Sequence, residues 1–197
     1  MIEKMLQEAG MPLDLVYMVS AESNFNVRAR SNKSAVGLWQ FIASTGRLYG
    51  LKINRWIDER RDPILSTKAA ITYLKHLYGL FGDWELAMAA YNTGEGRVKR
   101  AIKLAKRKGK KHNFSSLRLP RETRNYVPAI MALSVIYKNT KRYGFGHVKK
   151  MPAMDETQGN LPVAFSLEEV SQRSKMSFST LRELNPALYV GEPPMPQ

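Results

Sequence analysis

Apolar residues recur at helical spacing through most of the first 145 residues, and this pattern constrains the fold more than any other feature. The clearest stretch begins at Asp62–Pro63, where a helix-capping residue precedes a proline suited to the first turn, and ends at Gly82. Asp83 is a second predicted cap and opens a helix over residues 84–92. Because no stretch alternates apolar and polar residues as a strand would, we expect an all-α, mainly helical main domain.

The remaining segments of the main domain predict further helices with irregular connections between them. We expect one helix to end near Ser23–Asn24, and residues 25–62 predict a mixed region with short helices. A basic helix is predicted over residues 97–108, and a long helix over residues 120–139 with a kink at Pro128.

The composition changes after residue 146, which predicts a boundary between a main domain over 1–146 and a smaller C-terminal part. Residues 147–162 are polar and carry Pro and Gly, as a linker does. Residues 163–197 predict a small appendage, α or α+β, with a short extended piece followed by two short helices. Ser166 and Glu169 fit a capping box at the start of the first of these helices.

The composition excludes several classes of protein. The 197 residues include no Cys, which excludes disulfides and thiol catalysis, and three scattered His predict no metal site. No apolar run approaches the roughly 20 residues of a membrane span, so we expect no membrane anchor encoded in this chain. The N-terminal residues lack the pattern of a secretory signal, which predicts either an intracellular protein or a mature fragment.

Positive charge is concentrated in the main domain. Residues 1–150 carry 28 Lys and Arg against 11 Asp and Glu, whereas residues 151–197 carry 3 against 6. Nine of the cations, and no acidic residue, lie within residues 97–111. Such a surface favours a polyanionic partner, which charge alone leaves open: nucleic acid, an anionic membrane or an acidic cell-wall polymer. No nucleic-acid-binding motif accompanies the run.

Glu22 is the carboxyl group that the sequence singles out. On a helix its neighbours are the apolar residues Leu15, Met18, Val19 and Phe25, and the predicted helix end is close by. Burial and a helix C-terminus both disfavour the charged form, so they raise the pKa of a carboxyl group. A neutral acid of this kind can protonate a glycosidic oxygen. The alternative is a structural Glu22 paired with Arg28 or Arg30.

Four sets of motifs, in order, resemble the catalytic domain of lytic transglycosylases of the soluble-transglycosylase type. The first set is ESNFN (22–26), ARS (29–31), AVGLWQF (35–41) and TGR (45–47). The others are DERRDP (58–63), AAYNTG (89–94), and LPRETRNYV (119–127) with RYGF (142–145). Single motifs of this length are weak, but their order and spacing together are specific, and the resemblance covers residues 8–146.

This resemblance implies a lysozyme-like fold, a peptidoglycan substrate and no cofactor. Glu22 matches the family's sole catalytic carboxyl group, which first donates a proton to the leaving oxygen and then takes one from the sugar. The resemblance also implies substrate-binding positions: Ser31 and Gln40 around the muramic sugar, Tyr91 and Asn92 opposite the acid, Glu122 and Tyr126 buried in the cleft floor, and Trp39 as an aromatic wall.

Further implications concern location and partners. The family is usually exported, which implies a periplasmic or outer-membrane location, and we expect a monomer that binds glycan strands and no nucleic acid. The basic run at 97–111 then fits attraction to the carboxylates of peptidoglycan. The tail resembles, at low specificity, the helical half of a LysM glycan-binding module; the alternative is a helical appendage packed on the main domain. Val27, Ser34 and Ile42–Ala43 depart from the family pattern, and Ile42 is expected to alter one sugar subsite.

The spacing of acidic residues favours one reaction over another. Ordinary glycosidases need a second carboxylate, and no Asp or Glu lies between Ser23 and Ile57. The acids at 58–62 are better explained as a structural turn and a helix cap. One carboxyl group suits a reaction whose nucleophile is the substrate's own hydroxyl, as in the family's 1,6-anhydro-forming chemistry. A hydrolytic muramidase and a non-catalytic basic glycan-binding module remain the alternatives.

Overall fold

The structure, a computed structural model, describes residues 1–148, 159 and 166–189. Within these ranges the chain is mainly helical, as the sequence predicts, and its β-pairing is confined to isolated bridges. The α-helices are α1 (Ile2–Glu8), α2 (Val16–Ser23), α3 (Ala43–Leu48), α4 (Pro63–Phe81), α5 (Trp84–Thr93), α6 (Glu95–Arg107), α7 (Arg121–Lys138), α8 (Leu167–Ser174) and α9 (Phe178–Leu184). Short 3-10 helices lie at Leu13–Leu15, Glu59–Arg61 and Phe114–Ser116.

The predicted ends of α4 and the predicted start of α5 are confirmed by their capping contacts. The Asp62 carboxylate accepts hydrogen bonds from the amides of Ile64 (2.8 Å) and Leu65 (2.7 Å), with Pro63 in the first turn. Helix α4 ends at Gly82, whose φ of 64° is left-handed and favours glycine. Asp83 then caps α5 by accepting the amide of Leu86 at 2.9 Å.

Helix α5 packs against α4, α6 and α7 because its small residues let these neighbours approach closely. Ala87, Ala89 and Ala90 are fully buried in the main hydrophobic core. Tyr91 and Asn92 follow directly and are only partly buried. The helix is therefore buried in the core over its alanines, and its two polar side chains, Tyr91 and Asn92, lie at the edge of the core.

Helices α2 and α7 pack against each other, although they are far apart in the sequence of the main domain. The buried face of α2 consists of Val16, Met18 and Val19, and that of α7 includes Val127 and Ile130. Helix α7 continues through Pro128 as one helix. This packing places the last turn of α2 against the first half of α7.

The two short helices predicted in the C-terminal part are present as α8 and α9. The predicted capping box is also confirmed: the Glu169 amide donates to Ser166 Oγ at 3.2 Å, and the Ser166 amide donates to the Glu169 carboxylate at 2.8 Å. The predicted linker 147–162 lies mostly outside the described residues, and the predicted extended piece 163–165 lies wholly outside them. The division at residue 146 stays a prediction. Of the helices in the described ranges, none has the length and apolarity that crossing a bilayer requires.

We expect Asp62→Ala to lower the free energy of unfolding by about 1 kcal/mol, because two amides at the start of α4 lose their acceptor. Urea denaturation followed by circular dichroism measures the change. Asp62→Asn is the matched control, since its amide oxygen can still accept, and it should keep most of the stability. Equal losses in the two variants would contradict the capping role.

Candidate active site

One cleft of about 690 Å³ brings together most of the predicted site residues. Six of the eight predicted positions line it, from α2, the loop after it, α5 and α7: Glu22, Ser31, Gln40, Tyr91, Asn92 and Glu122. Tyr126 contacts one of these, and Trp39 lies elsewhere. The remaining lining residues are Asn32, Lys33, Ala35, Phe41, Ile42, Thr45, Tyr73 and Gly94.

Glu22 lies in the last turn of α2, which ends where Asn24 adopts a left-handed φ of 51°. Its side chain is partly buried, and its Oε1 atom accepts a hydrogen bond from the Tyr126 hydroxyl at 2.5 Å. The predicted alternative, an ion pair with Arg28 or Arg30, is not observed. Within residues 1–148 and 166–189 no basic group lies within ion-pair distance of Glu22, and Arg28 instead donates to the Arg182 carbonyl.

Burial raises the pKa of Glu22 to about 7, in the direction that the sequence predicts. The hydrogen bond from Tyr126 lowers this pKa, and the negative charge of Glu122 raises it by a smaller amount. Burial is therefore the dominant effect, and near neutral pH the Glu22 carboxyl group is divided between its protonated and ionised forms. Such a group can donate a proton in one step and accept one in the next.

Two tyrosines surround the carboxyl group as neutral hydrogen-bond donors. Burial, followed by the nearby Glu22 charge, raises the pKa of both Tyr91 and Tyr126 well above the usual value. The Tyr91 hydroxyl donates to the Trp39 carbonyl at 2.7 Å, which ties α5 to the loop after α2. The Tyr126 hydroxyl holds the Glu22 carboxylate in place, so each tyrosine fixes one side of the site.

The loop after α2 presents Ser31 and Gln40 to the cleft. The Gln40 amide nitrogen donates to the Gly37 carbonyl at 2.8 Å, so its Oε1 atom is left to accept from a ligand. Ser31 Oγ accepts the amides of Lys33 and Ala35 and so closes the turn on which it lies. The loop is fixed to α2 by Ser23, whose hydroxyl donates to the Leu38 carbonyl at 2.9 Å.

Asn92 is held by a contact between α5 and α7. Its amide oxygen accepts a hydrogen bond from the buried Thr123 hydroxyl at 2.8 Å. The NH₂ group of Asn92 is then the end of the amide available to a ligand in the cleft. The site can therefore offer a donor at Asn92 and an acceptor at Gln40 to a polar, uncharged molecule.

The structure corrects the prediction for Trp39. Its side chain is fully buried, and its Nε1 atom donates to the Thr67 hydroxyl at 3.0 Å, so the indole belongs to the core. The aromatic residues that line the cleft are instead Phe41, Tyr73 and Tyr91, and the ring centroids of the two tyrosines lie 5.1 Å apart. Sequence reasoning missed Tyr73; the available signal was its place beside the apolar stripe of α4.

The structure also corrects the predicted burial of Glu122. This residue lines the cleft, but its side chain is 71% exposed at the rim, 3.7 Å from Lys33 Nζ. Lys33, like Asn32 and Thr45, was not predicted as a site residue, although Lys33 lies only two positions after Ser31. Ile42 lines the cleft and is 45% exposed, and its expected effect on one sugar subsite stays a prediction.

The carboxylates at 58–62 are structural, as the sequence predicts. Asp58 is fully buried in an ion pair with Arg60, and Asp62 caps α4. Glu59 accepts the amide of Lys52 at 2.6 Å. Glu22 and Glu122 are thus the carboxylates among the cleft-lining residues. In the part of the chain that the structure describes, no three His, Asp or Glu side chains are grouped as a metal site requires.

Comparisons with known proteins identify the family and the fold of the chain. The family model of the transglycosylase SLT domain matches residues 1–114. Membrane-bound lytic murein transglycosylase D of Escherichia coli (strain K12) is 44% identical over 185 residues, which are 91% of this chain and 40% of that protein. Peptidoglycan transglycosylase gp16 of Escherichia phage T7 is 35% identical over 130 residues, 64% of this chain and 10% of that protein. This chain therefore spans less than half the length of the first of these relatives.

The motifs GLWQ, DERRDP and LPRETRNYVP are those that most resemble membrane-bound lytic murein transglycosylase D, and the similarity over 91% of the chain confirms that resemblance. Two solved structures share the fold. Lytic transglycosylase Slt of Pseudomonas aeruginosa covers 72% of this chain with a TM-score of 0.53, at 24% identity and over 24% of its own chain. The 70 kDa soluble lytic transglycosylase of Escherichia coli covers 74% with a TM-score of 0.50, at 24% identity and over 24% of its own chain. The predicted lysozyme-like helical fold is confirmed.

We expect Glu22→Gln to be more stable than the wild type at pH 8 and nearly equal to it at pH 4. The folded-state pKa of Glu22 is about 7 against 4.5 for an unperturbed Glu, so the folded protein holds this proton more tightly than the unfolded chain. The wild type therefore loses stability as pH rises from 4.5 through 7. The expected difference at pH 8 is about 3 kcal/mol.

Thermal unfolding at pH 4, 6 and 8 measures this difference between the two proteins. Glu183→Gln, which removes an exposed carboxyl group, is the matched control and should follow the wild type at every pH. The raised pKa of Glu22 is contradicted if the difference in melting temperature between Glu22→Gln and the wild type is the same at pH 4, 6 and 8.

Proposed function

The chain belongs to the transglycosylase SLT domain family, and from this premise we propose that it is a peptidoglycan lytic transglycosylase. The proposed reaction cleaves the β-1,4 bond between N-acetylmuramic acid and N-acetylglucosamine without water and leaves a 1,6-anhydro sugar. One observation carries the proposal: a partly buried carboxyl group with a pKa of about 7, Glu22, lies in a cleft lined by polar and aromatic side chains. The name of the Escherichia coli relative, a murein transglycosylase, supports the substrate.

In the first step of the proposed reaction, protonated Glu22 donates its proton to the glycosidic oxygen. The bond between that oxygen and C1 of the muramic sugar breaks, and the N-acetylglucosamine chain leaves with a new hydroxyl group. Glu22 becomes a carboxylate, and the hydrogen bond from Tyr126 stabilises it. The acetamido group of the muramic sugar assists by stabilising the positive charge at C1.

In the second step, the C6 hydroxyl of the same sugar attacks C1 and its proton passes to the Glu22 carboxylate. A C1–O6 bond forms, and Glu22 returns to its protonated form, so the cycle closes without water or a cofactor. The attacking hydroxyl is tethered to the sugar, which gives it the advantage of an intramolecular reaction. A pKa near 7 suits both steps, since Glu22 acts once as acid and once as base.

The remaining site residues are proposed to bind the sugars on either side of the scissile bond. Gln40 and Asn92 offer an acceptor and a donor to acetamido and hydroxyl groups, and Ser31 lies on the same loop as Gln40. Tyr73 and Tyr91 provide apolar surface for a sugar ring. Trp39 takes no part in this proposed binding, because its indole is buried.

A hydrolytic muramidase is the second candidate, and the position of Glu122 favours it. This carboxylate lines the same cleft as Glu22 and is exposed, so the cleft does contain a second carboxyl group of the kind that hydrolysis uses. The ion pair between Glu122 and Lys33 argues against a hydrolytic muramidase, because it holds the Glu122 charge at the rim of the cleft. A non-catalytic glycan-binding module, the third candidate, gives no reason for the raised pKa of Glu22.

We expect Glu22→Gln to lower the rate of glycan cleavage by about 10²–10⁴-fold, because a proton donor and acceptor is lost. Glu122→Gln, the matched control, should keep most of the activity. Mass spectrometry of products from purified sacculi should find muropeptides lighter by one water than hydrolysis products. Products with water added, together with inactive Glu122→Gln, would instead identify a muramidase.

We further propose that the protein acts on glycan strands in the periplasm or at the outer membrane, as a monomer. The envelope role named for its relatives supports this location. The basic helix α6 begins beside Gly94, which lines the cleft, and its exposed cations face little opposing charge. Lys99 pairs with Glu95, while Lys103 and Lys106 have no ion-pair partner in the described parts of the chain. This face is proposed to attract the carboxylates of peptidoglycan.

Replacing Lys103 and Lys106 by Gln should weaken binding to sacculi by about threefold at low salt, because long-range attraction is lost. The binding assay is sedimentation with sacculi in a Glu22→Gln background, so that the polymer is not cleaved. The matched control replaces Lys68 and Lys75, two exposed cations of α4, by Gln. High salt should abolish the difference, and equal weakening by both pairs would contradict a specific role of α6.

A further inference from the structure

The residues that follow α9 pair with the turn before α4. The amide of Asp58 donates to the Ala187 carbonyl at 2.8 Å, and the amide of Tyr189 donates to the Trp56 carbonyl at 3.0 Å. Between these hydrogen bonds, Ile57 and Leu188 form an antiparallel bridge. The chain therefore returns from the C-terminal part and adds residues 187–189 to a turn of the main domain.

The side chain of Tyr189 enters the same turn. Its hydroxyl donates to Asp58 Oδ2 at 3.2 Å, and its ring lies under the Arg61 guanidinium, 5.1 Å from the ring centroid. Asp58 is fully buried, so this hydroxyl is one of few groups that reach its carboxylate. A buried carboxylate requires nearly all its hydrogen bonds to be satisfied, and Tyr189 supplies one of them.

The same carboxylate holds Arg60 in a two-point ion pair. Arg60 Nε donates to Asp58 Oδ1 at 2.8 Å, and Arg60 Nη2 donates to Oδ2 at 2.7 Å. The guanidinium is fixed in its plane by these two bonds. Its remaining nitrogen, Nη1, is thereby aimed away from the carboxylate.

Arg60 Nη1 joins two ends of the loop that lines the cleft. It donates to the Ser34 carbonyl and to the Phe41 carbonyl, each at 3.0 Å. Between them the loop touches the backbone of Arg60 at Gly37, where a Cβ atom would lie 1.8 Å from the Arg60 carbonyl oxygen. The loop is thus clamped at both ends and at its centre by one residue.

We propose that Tyr189 is a positioning residue that acts through Asp58 and Arg60 on the loop carrying Gln40. This inference rests on the proposed function, because the purpose it assigns to the loop is to bind sugar. It assigns residues 187–189 to the framework of the cleft, although they follow the two C-terminal helices. The bridge between Leu188 and Ile57 also fits the alternative of a C-terminal appendage that packs on the main domain.

The test is Tyr189→Phe in the full chain, which removes the hydroxyl and keeps the ring under the Arg61 guanidinium. We expect hydrogen exchange to accelerate by about tenfold at the amides of Val36, Gly37 and Gln40, which are bonded within the loop. The buried α4 amides of Leu74 and Leu77 should exchange as in the wild type. This readout needs no activity, so it stands apart from the proposed function.

The second measurement is kinetic. Tyr189→Phe should lower kcat/KM on isolated glycan strands by about three- to tenfold, and the effect should disappear in a Gln40→Ala background. Tyr143→Phe is the matched control, since that tyrosine is exposed and distant in sequence from the turn, and it should leave both measurements unchanged.

Two outcomes overturn the proposal. If loop amides exchange in Tyr189→Phe as in the wild type, or if the α4 amides accelerate equally, Tyr189 has no local effect on the loop. If the effect on kcat/KM is the same with Gln40→Ala, it does not pass through this loop. Faster loop exchange in a protein that cleaves no glycan would instead support the positioning role and contradict the proposed function.

Discussion

Close packing around α5 is the constraint on which the site depends. Its alanines allow α4 and α7 to approach the same helix, and α7 in turn packs against α2. A carboxyl group and a phenol that are 104 residues apart in the chain are thereby brought within hydrogen-bond distance, as Glu22 and Tyr126. Larger side chains on α5 would separate these helices, and the carboxyl group would lose both its donor and its burial.

Burial of Glu22 gives it a raised pKa and also lowers the stability of the folded protein. A carboxyl group whose pKa lies near 7 makes the folded protein less stable at the pH where it is expected to work. Other polar groups of the domain are buried together with their hydrogen-bond partners, and among the ion pairs of the described residues Asp58–Arg60 is the most deeply buried. Desolvation therefore disfavours the charged form of Glu22, whereas the buried Asp58 carboxylate has a basic partner.

Local sequence rules predicted the elements, and the family motifs predicted most of the site. Helix α4 and the start of α5 followed from Asp62, Gly82 and Asp83, because caps act over a few residues. The unusual state of Glu22 followed from its apolar helical neighbours. Both signals are local, and that is why they are visible in a sequence.

The predictions that were wrong or missing concern features that depend on contacts between distant parts of the chain. Trp39 lies in a loop without periodicity, so nothing local tells whether its indole faces the cleft or the core. The exposure of Glu122 depends on how α7 meets the loop that carries Lys33, and the cleft position of Tyr73 depends on how α4 meets that loop. Tyr189 and Asp58 are 131 residues apart in the sequence, and no motif predicts their contact. These features follow from tertiary packing alone.

The contact at Gly37 limits how this protein can diversify. With the Arg60 carbonyl oxygen 1.8 Å from where a Cβ would lie, and with φ at +82°, the position admits no other residue without moving the backbone. Ile42, a few residues on, is exposed on the cleft and meets no such barrier. The side chain at Ile42 can therefore be exchanged more easily than the one at Gly37, where the backbone contact fixes the residue.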